Sequence, residues 1–599
     1  MQGRKMSSKI TYAVDYKGQP VDKTRTGGWL SAASILIVEV CERFTSMGIG
    51  VNLVTYINGT LHLPSATAAN IVTNFSGTAF LLCLFGGFLA DTFLGRYWTI
   101  CIFTLTQTLG VALFAISTAV PELQPPPCNI NGSSNTCIEA NGLQLGVMYT
   151  ALYVMALGEG GLKSSVSGFG TDQFDDKDEK EKSQMAYFFS RFYFIISLGT
   201  LLGVTVLVYI EDYVNRTWGY GLCSIVFFVS IIIFLSRTRS YRYKKCMGSP
   251  IVQILHVLVA SVWKRKLKFP SNVDTLYDDS TEATRIHHTD QLRCLDRAAI
   301  IDENDYGANG SVIRNPWKLC SVTKVEEVKM MARLMPIWAS TIFFWTIHAQ
   351  LLTFSVEQAS TMDRYIRKFQ IPAGSFNIFY IAGILVSSAF YDRVIIPLMK
   401  RWKGEHGFSN LQRIAIGIAF SIVAMIVAAI AETKRIAIAK ATGGNVTILP
   451  FSCGILIPQF FIVGLGEAFM YSGQLDFFIT RSPKGMKSLS TGLFLSTVAL
   501  GFFVSSFLVS IINKVTGTQV GYAWLPSNIN YAKLYYFYAL LAILSSINLV
   551  FYLFCALWYK RTMKNTVQIE NIITSSTEEE KHAMQMEGTL AASAEEDCE

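Results

Sequence analysis

Glu39, Glu42 and Arg43 stand inside an otherwise apolar stretch running from about Trp29 to Tyr56. On a helix, Glu39 lies one turn before both Glu42 and Arg43, so all three share a face. Two acids that can take up protons then flank one permanent cation that can hold them. If the stretch crosses a bilayer, each charge at its centre costs roughly 2.5–3.5 kcal/mol by insertion scales, so such a trio faces a polar cavity and has work there. The chemistry it suits is an exchange between protonation and ion pairing.

Other ionisable groups recur in the same apolar setting. Glu159 and Lys163 are spaced four apart with the acid first, which places them to pair on one helix. Glu467 lies in Gly464-Leu465-Gly466-Glu467, and His348 and Gln350 lie in Trp345-Thr346-Ile347-His348-Ala349-Gln350. A bridge between Lys163 and Glu467 is expected to act as a gate that protonation or an anion weakens; a static structural pair is the plain alternative. His348 is the one histidine of seven inside an apolar run long enough to span a bilayer. Histidine as a residue type can change charge near physiological pH, and a protonated ring suits a small anion in an apolar cavity, although a lone histidine also serves as a packing residue. Thr99 follows Arg96 by three positions, a spacing that a basophilic kinase reads but that is common by chance.

The elements that must position these groups are membrane spans. The chain has 599 residues, 51% hydrophobic and only 16% charged, well below the ~25% charged of soluble domains. Apolar runs long enough to cross a bilayer occur near 29–56, 69–90, 97–120, 143–165, 186–210 and 219–236, and again near 332–356, 373–391, 410–431, 449–472, 488–512 and 532–558. The expected fold is an all-α membrane protein with twelve transmembrane helices in two six-helix halves joined by a cytoplasmic loop. The expected divisions are a tail 1–28, a bundle 29–236, a linker 237–331, a bundle 332–558 and an acidic tail 559–599.

Lys and Arg concentrate in the 2–3, 4–5, 8–9 and 10–11 loops (Arg96, Lys177, Lys180, Lys182, Lys400, Arg401, Lys403, Lys484, Lys487), which places both termini and the central loop in the cytoplasm. Lys434, Arg435 and Lys440 in the 9–10 loop run against that count. Sequons at Asn58, Asn131, Asn215 and Asn445 then fall outside, and Asn309 inside. Within the linker, Ile251–Trp263 followed by Lys264-Arg265-Lys266 is too short to span and is expected to lie on the inner leaflet. Residues 270–325 read as a mobile linker, and the acidic tail as disordered. Of twelve cysteines, Cys128 and Cys137 flank a polar loop where a disulfide fits. The net charge of +8 is spread between apolar segments and does not suggest nucleic acid. Neither a nucleotide-binding loop, a metal cluster nor a nucleophile elbow is present, so an enzyme is not expected and no cofactor is required.

Glu39-Val-Cys-Glu42-Arg43, Asn52-Leu-Val-Thr-Tyr56, Gly87 to Tyr97, Gly168-Phe-Gly-Thr-Asp172-Gln-Phe174 and Gly473-Gln-Leu-Asp-Phe-Phe478 together resemble the plant nitrate/peptide transporter family. This is the proton-coupled oligopeptide transporter branch of the major facilitator superfamily. Thr346-Ile-His348-Ala-Gln350 and Gly485-Met-Lys487-Ser-Leu-Ser-Thr-Gly492 look most like the subgroup of the dual-affinity nitrate transporter. The resemblance implies that Glu39, Glu42 and Arg43 couple protons, His348 binds nitrate, Lys163 and Glu467 form the gate with Glu159 beside them, and Thr99 is a phosphorylation switch for a cytosolic kinase. Met47, Ser76 and Phe502 would wall the nitrate pocket. The implied activity is proton/nitrate symport at the plasma membrane by a monomer or weak homodimer. The same fold carrying chloride, a di- or tripeptide or a hormone such as abscisic acid is the alternative, as is a nitrate sensor. Three departures stand out: Glu159 where relatives carry a small or neutral residue, Ser76 where a larger apolar one is expected, and no asparagine in Phe192-Tyr-Phe-Ile-Ile-Ser-Leu-Gly199.

Overall fold

A computed structural model describes residues 9–564 except 23–25, 129–136, 176–177, 245–247, 249, 271–274, 279–285, 287, 303–304, 307–314, 404–406, 443–447, 484–485, 518–523 and 526–528. The sequons at Asn131, Asn309 and Asn445, the loop lysines Lys177 and Lys484, and the acidic clusters of the C-terminal tail lie outside the described residues.

Long helices dominate: α1 (Gly28–Gly59), α2 (Ser65–Leu89), α3 (Gly95–Ala119), α4 (Gly142–Thr171), α5 (Glu179–Leu202) and α6 (Arg216–Ser236), then α7 (Pro250–Trp263). There follow α8 (Val322–Leu352), α9 (Phe354–Ser360), α10 (Asn377–Phe390), α11 (Ile396–Lys403), α12 (Asn410–Ala441), α13 (Ile457–Arg481) and α14 (Lys487–Thr516), and finally α15 (Leu534–Lys564). Among the described residues, ten stretches are long and apolar enough to cross a membrane. The twelve spans expected differ from that count for two reasons. Ser65–Ala119 is a single 55-residue stretch of helix that holds both α2 and α3. The first helix, α1, is not among the ten; it carries three charges, Glu39, Glu42 and Arg43, in its apolar part.

Local sequence sets the breaks. Gly95 holds φ +73, a left-handed geometry glycine adopts without penalty, and it separates the turn Ala90–Leu94 from α3. Asn141 with Gln144 and Ser409 with Gln412 form reciprocal capping boxes that start α4 and α12. Small residues then let helices approach: a methyl at Gly161 of α4 would overlap the Phe103 ring of α3. Gly77 of α2 sits against α14, where an added methyl would lie 3.2 Å from the Ala499 carbonyl oxygen. This packing of α2 on α14 joins the first six long helices to the later ones.

Two compact units are distinguished: Met1–Pro250 with Trp338–Thr480 and Met486–Leu549, and Ile251–Ile337 with Arg481–Gly485 and Val550–Glu599. In the second unit α7 shows apolar side chains on its exposed side as well as its buried one. Val257, Ala260 and Ser261 are buried, while Leu255, Leu258, Val262 and Trp263 are exposed. The expected mobile linker is corrected over much of its length. Cys320 N–H donates to the Ala298 carbonyl at 2.9 Å, Tyr277 N–H to Ala299 at 2.8 Å, and Val322 N–H to Tyr277 at 2.9 Å. Lys264 Nζ reaches Asp305 Oδ2 at 2.6 Å. Buried Lys329 of α8 reaches Asp296 Oδ1 at 2.6 Å and Glu326 Oε1 at 2.7 Å, and His288 Nε2 lies 2.9 Å from Asp296 Oδ2. Composition reads such a segment as solvated; several of its charges are instead held by Lys264, Lys329 and His288. Removing one partner of a buried pair costs about 3–5 kcal/mol, so Lys329→Met is expected to lower the unfolding temperature of the purified protein by several degrees. An unchanged melting curve would show that these pairs contribute nothing.

Cys128 and Cys137 are disulfide-bonded, as their spacing allowed. The Asn58 amide is engaged inside the fold rather than displayed (below), whereas exposed Asn215 accepts from Thr217 N–H at 2.8 Å and starts α6. Arg435 is corrected from loop to helix. Fully buried in α12, it clamps Glu432 through Nε at 2.7 Å, which removes it from the loop charges that ran against the orientation count.

Candidate functional site

The trio on α1 pairs as its spacing predicts. Arg43 Nε lies 2.9 Å from Glu39 Oε1 and 3.0 Å from Glu42 Oε2. The network then leaves α1. Glu42 Oε1 accepts from Ser46 Oγ at 2.9 Å and lies 3.6 Å from Lys163 Nζ on α4. Lys163 in turn hydrogen-bonds Glu159 one turn earlier on its own helix. Glu39–Arg43–Glu42–Lys163–Glu159 is thus one continuous chain of charge joining α1 to α4, and Glu42 is fully buried within it.

A second pair belongs to the later helices. His348 Nδ1 on α8 lies 2.8 Å from Glu467 Oε2 on α13, at ion-pair distance without hydrogen-bond alignment. The imidazole is boxed by Trp345, Tyr380 and Phe502, with ring centroids 5.7, 5.3 and 6.1 Å away. Phe502 stacks on Phe80 of α2 at 6.1 Å and 10°, and the Lys163 ammonium sits 4.5 Å above that Phe80 ring. Two aromatic rings therefore lie between the proton-handling chain and the histidine. A cation over a ring face gains about 0.5–2 kcal/mol, so Phe80 also helps hold Lys163 in place.

Of the residues named from sequence, Glu39, Glu42, Arg43, Lys163 and Glu159 come together, as do His348, Glu467 and Phe502. Met47 and Ser76 are half-buried on α1 and α2. The direct Lys163–Glu467 bridge is not formed in this structure: each is paired elsewhere. Glu159, the departure from the family pattern, gives Lys163 a partner on its own helix, and His348 takes Glu467. Thr99 is fully buried and donates Oγ1–H to the Gly95 carbonyl at 2.9 Å, so modification requires the first turn of α3 to open. Asp91 and Arg96 approach at 3.9 Å, but the tighter partner of Arg96 is Asp172 at 2.8 Å, which also takes Lys244 at 2.9 Å.

Sequence reading missed Phe80, Tyr380 and Ser46. Each is unremarkable by type, and only the helix faces bring it to the site. It also missed a contact at the other end of α1. Glu357 Oε1 on α9 accepts from Ser65 Oγ of α2 and from Asn58 Nδ2 of α1 at 3.3 Å. An acid near the end of an apolar run was the only signal available there.

A protein-family model described as PTR2, POT family, matches residues 97–525. Protein NRT1/PTR family 6.2 of Arabidopsis thaliana is 58% identical over 570 residues, covering 95% of this chain and 98% of that protein. NRT1/PTR family 6.3 of the same plant is 51% identical over 567 residues, covering 93% and 95%. Among solved structures, the POT family transporter PepTSo covers 89% of this chain and 99% of its own, with TM-score 0.62 at 21% identity. An auto-inhibited POT family peptide transporter covers 87% and 96%, with TM-score 0.62 at 20% identity. At that identity the likeness concerns the fold.

Proposed function

This chain belongs to the POT family, among the NRT1/PTR proteins, and is a membrane transporter rather than an enzyme; on that premise we propose that it carries nitrate together with protons by alternating access. The observation that carries this reading is a charge imbalance. Glu39, Glu42, Glu159 and Glu467 face only two permanent cations, Arg43 and Lys163. An anion entering a partly desolvated cavity with that excess of acid meets repulsion that falls only when protons are bound. Proton uptake on the α1 acids and on the His348–Glu467 pair therefore prepares the cavity for an anion, which the imidazolium then holds between Trp345, Tyr380 and Phe502. Ser76 and Met47 complete the wall.

Gating follows from the same pairs. Lys163 exchanges between Glu42 and Glu159 in this arrangement and Glu467 in another, and ligand and protons bias the exchange. Inward movement of an anion alone works against an inside-negative potential by about 2.3 kcal/mol per charge per 100 mV, so more protons than nitrate must enter at the plasma membrane. Phosphorylation at Thr99 by a cytosolic kinase would act by opening the start of α3.

Isotope-labelled nitrate uptake in cells expressing the chain tests this. Uptake should rise several-fold from neutral to acidic external pH and resist excess chloride and dipeptide. Uptake that is absent, or that a dipeptide abolishes, would assign the cavity to another cargo.

A further inference from the structure

Asn52 marks a second polar cluster on α1, about 20 Å from Glu39 along the helix at 1.5 Å per residue. Its amide is fully buried and donates twice, to Glu211 Oε2 at 2.8 Å and to Asp212 Oδ1 at 2.9 Å. Two neighbouring carboxylates thus share one neutral donor. Arg216 Nη2 approaches Asp212 Oδ1 at 3.9 Å and its guanidinium lies 5.4 Å above the Tyr56 ring. Among the described ion pairs none includes Glu211.

Glu211 is 2% exposed, and its Oε1 has no hydrogen-bond partner; the hydroxyl of fully buried Tyr220 has none either. Gly219 of α6 packs closely on the side chain: an added methyl there would lie 2.6 Å from Glu211 Cγ. Its backbone is the π turn Ile210–Val214, the second after Gly203–Leu207, and such turns recur at functional sites. The groups around Glu211 are Asn52 and Tyr56 from α1, Asp212 from its own turn, and Arg216, Tyr220 and Cys223 from α6. Arg216 is the one cation of that set; its ion pair is with Asp212, and its Nη1 donates to Thr60 Oγ1.

A buried carboxylate without a cation of its own is relieved most simply by a proton. Asp212, 17% exposed and next to Arg216, is the wet side of the cluster. We propose that Glu211 is a second proton-binding carboxylate of the transport cycle, loaded from the Asp212–Arg216 side and read by Asn52 on α1. A solvent proton forms an O–H bond at Glu211 Oε1, and no other covalent bond of the protein changes. The Asn52 bond to Oε2 then turns from charge-assisted to neutral, which weakens it by roughly half. Loading is thereby felt by the helix that carries Glu39 and Glu42. The inference rests on the proton-coupled reading above only for the word cycle.

Three measurements on the full-length purified protein test it. In a jump from alkaline to acidic pH without nitrate, followed by an indicator dye, E211Q should take up one proton fewer than the parent; equal uptake overturns the site. Should E211Q fail to fold, a hydrophobic carbodiimide applied to the parent should label Glu211 at acidic pH and not at alkaline pH. No adduct on Glu211 at acidic pH overturns it equally. In proteoliposomes, the reversal potential of nitrate current should depend less steeply on external pH in E211Q, and an unchanged dependence removes Glu211 from the cycle. The first two readings need no nitrate, so failure of nitrate transport in the parent would sink the cargo assignment and leave this site to be judged by itself.

Discussion

His348→Ala is expected to lower nitrate uptake by roughly tenfold to a hundredfold, the equivalent of the ~1.5–3 kcal/mol of a charge-assisted hydrogen bond, while surface expression persists. The direction follows from the pair at 2.8 Å between His348 and Glu467. Alanine removes the one group there that offers an anion positive charge, and leaves Glu467 facing the cavity. The residual carboxylate makes the loss larger than that of a simple contact, because the anion now meets repulsion where it met a donor. His348→Ala combined with Glu467→Gln separates the two effects: uptake that stays low in the double variant assigns the loss to the missing histidine, and uptake that recovers assigns it to the carboxylate. Uptake in the single variant equal to that of the parent would exclude His348 from the pathway.

Glu42→Gln should flatten the dependence of uptake on external pH and cut concentrative nitrate uptake by about tenfold or more, while nitrate–nitrate exchange continues. Glu42 is the junction of the charged chain, meeting Arg43 at 3.0 Å, Lys163 at 3.6 Å and Ser46 at 2.9 Å. Glutamine keeps the acceptor for Ser46 and mimics the protonated acid, so the cavity stays in the state that admits an anion but can no longer discharge a proton. Glu42→Ala is a harsher change. It leaves buried cations unpaired at a cost of about 3–5 kcal/mol, and is expected to lower yield as well as coupling. Concentrative uptake by Glu42→Gln with the parent's pH profile would move the coupling proton to another acid.

Particular residues show how far the sequence reached. The pairing within Glu39, Glu42 and Arg43 was legible because positions three and four apart on a helix must be neighbours. Glu159 with Lys163 was legible for the same reason, and the family pattern drew attention to the acid. Which partner Lys163 takes across the helices was not: the expected bridge to Glu467 gives way to Glu42 and Glu159, because the approach of α1 to α4 is set by packing that no local spacing encodes. Arg435 was misplaced since α12 runs on to Ala441, and a buried Glu432 makes an arginine inside the helix tolerable. The segment 286–302 read as loose because its composition is polar, yet Asp296 takes Lys329 of α8 and His288, and Asp290 takes Arg293.

What the sequence determined by itself is the class of molecule: long apolar helices, their approximate order, and ionisable residues too expensive to keep in them without a use. Those are properties of composition and local period, which survive without tertiary contacts. Only the tertiary structure decided that Phe80 and Phe502 stand between Lys163 and His348, that Thr99 is buried, and that Asn52 holds Glu211 and Asp212 together. Each of these depends on which helix faces meet, and in an apolar medium that choice is made by the fit of side chains and small residues rather than by hydrophobicity, which all faces share.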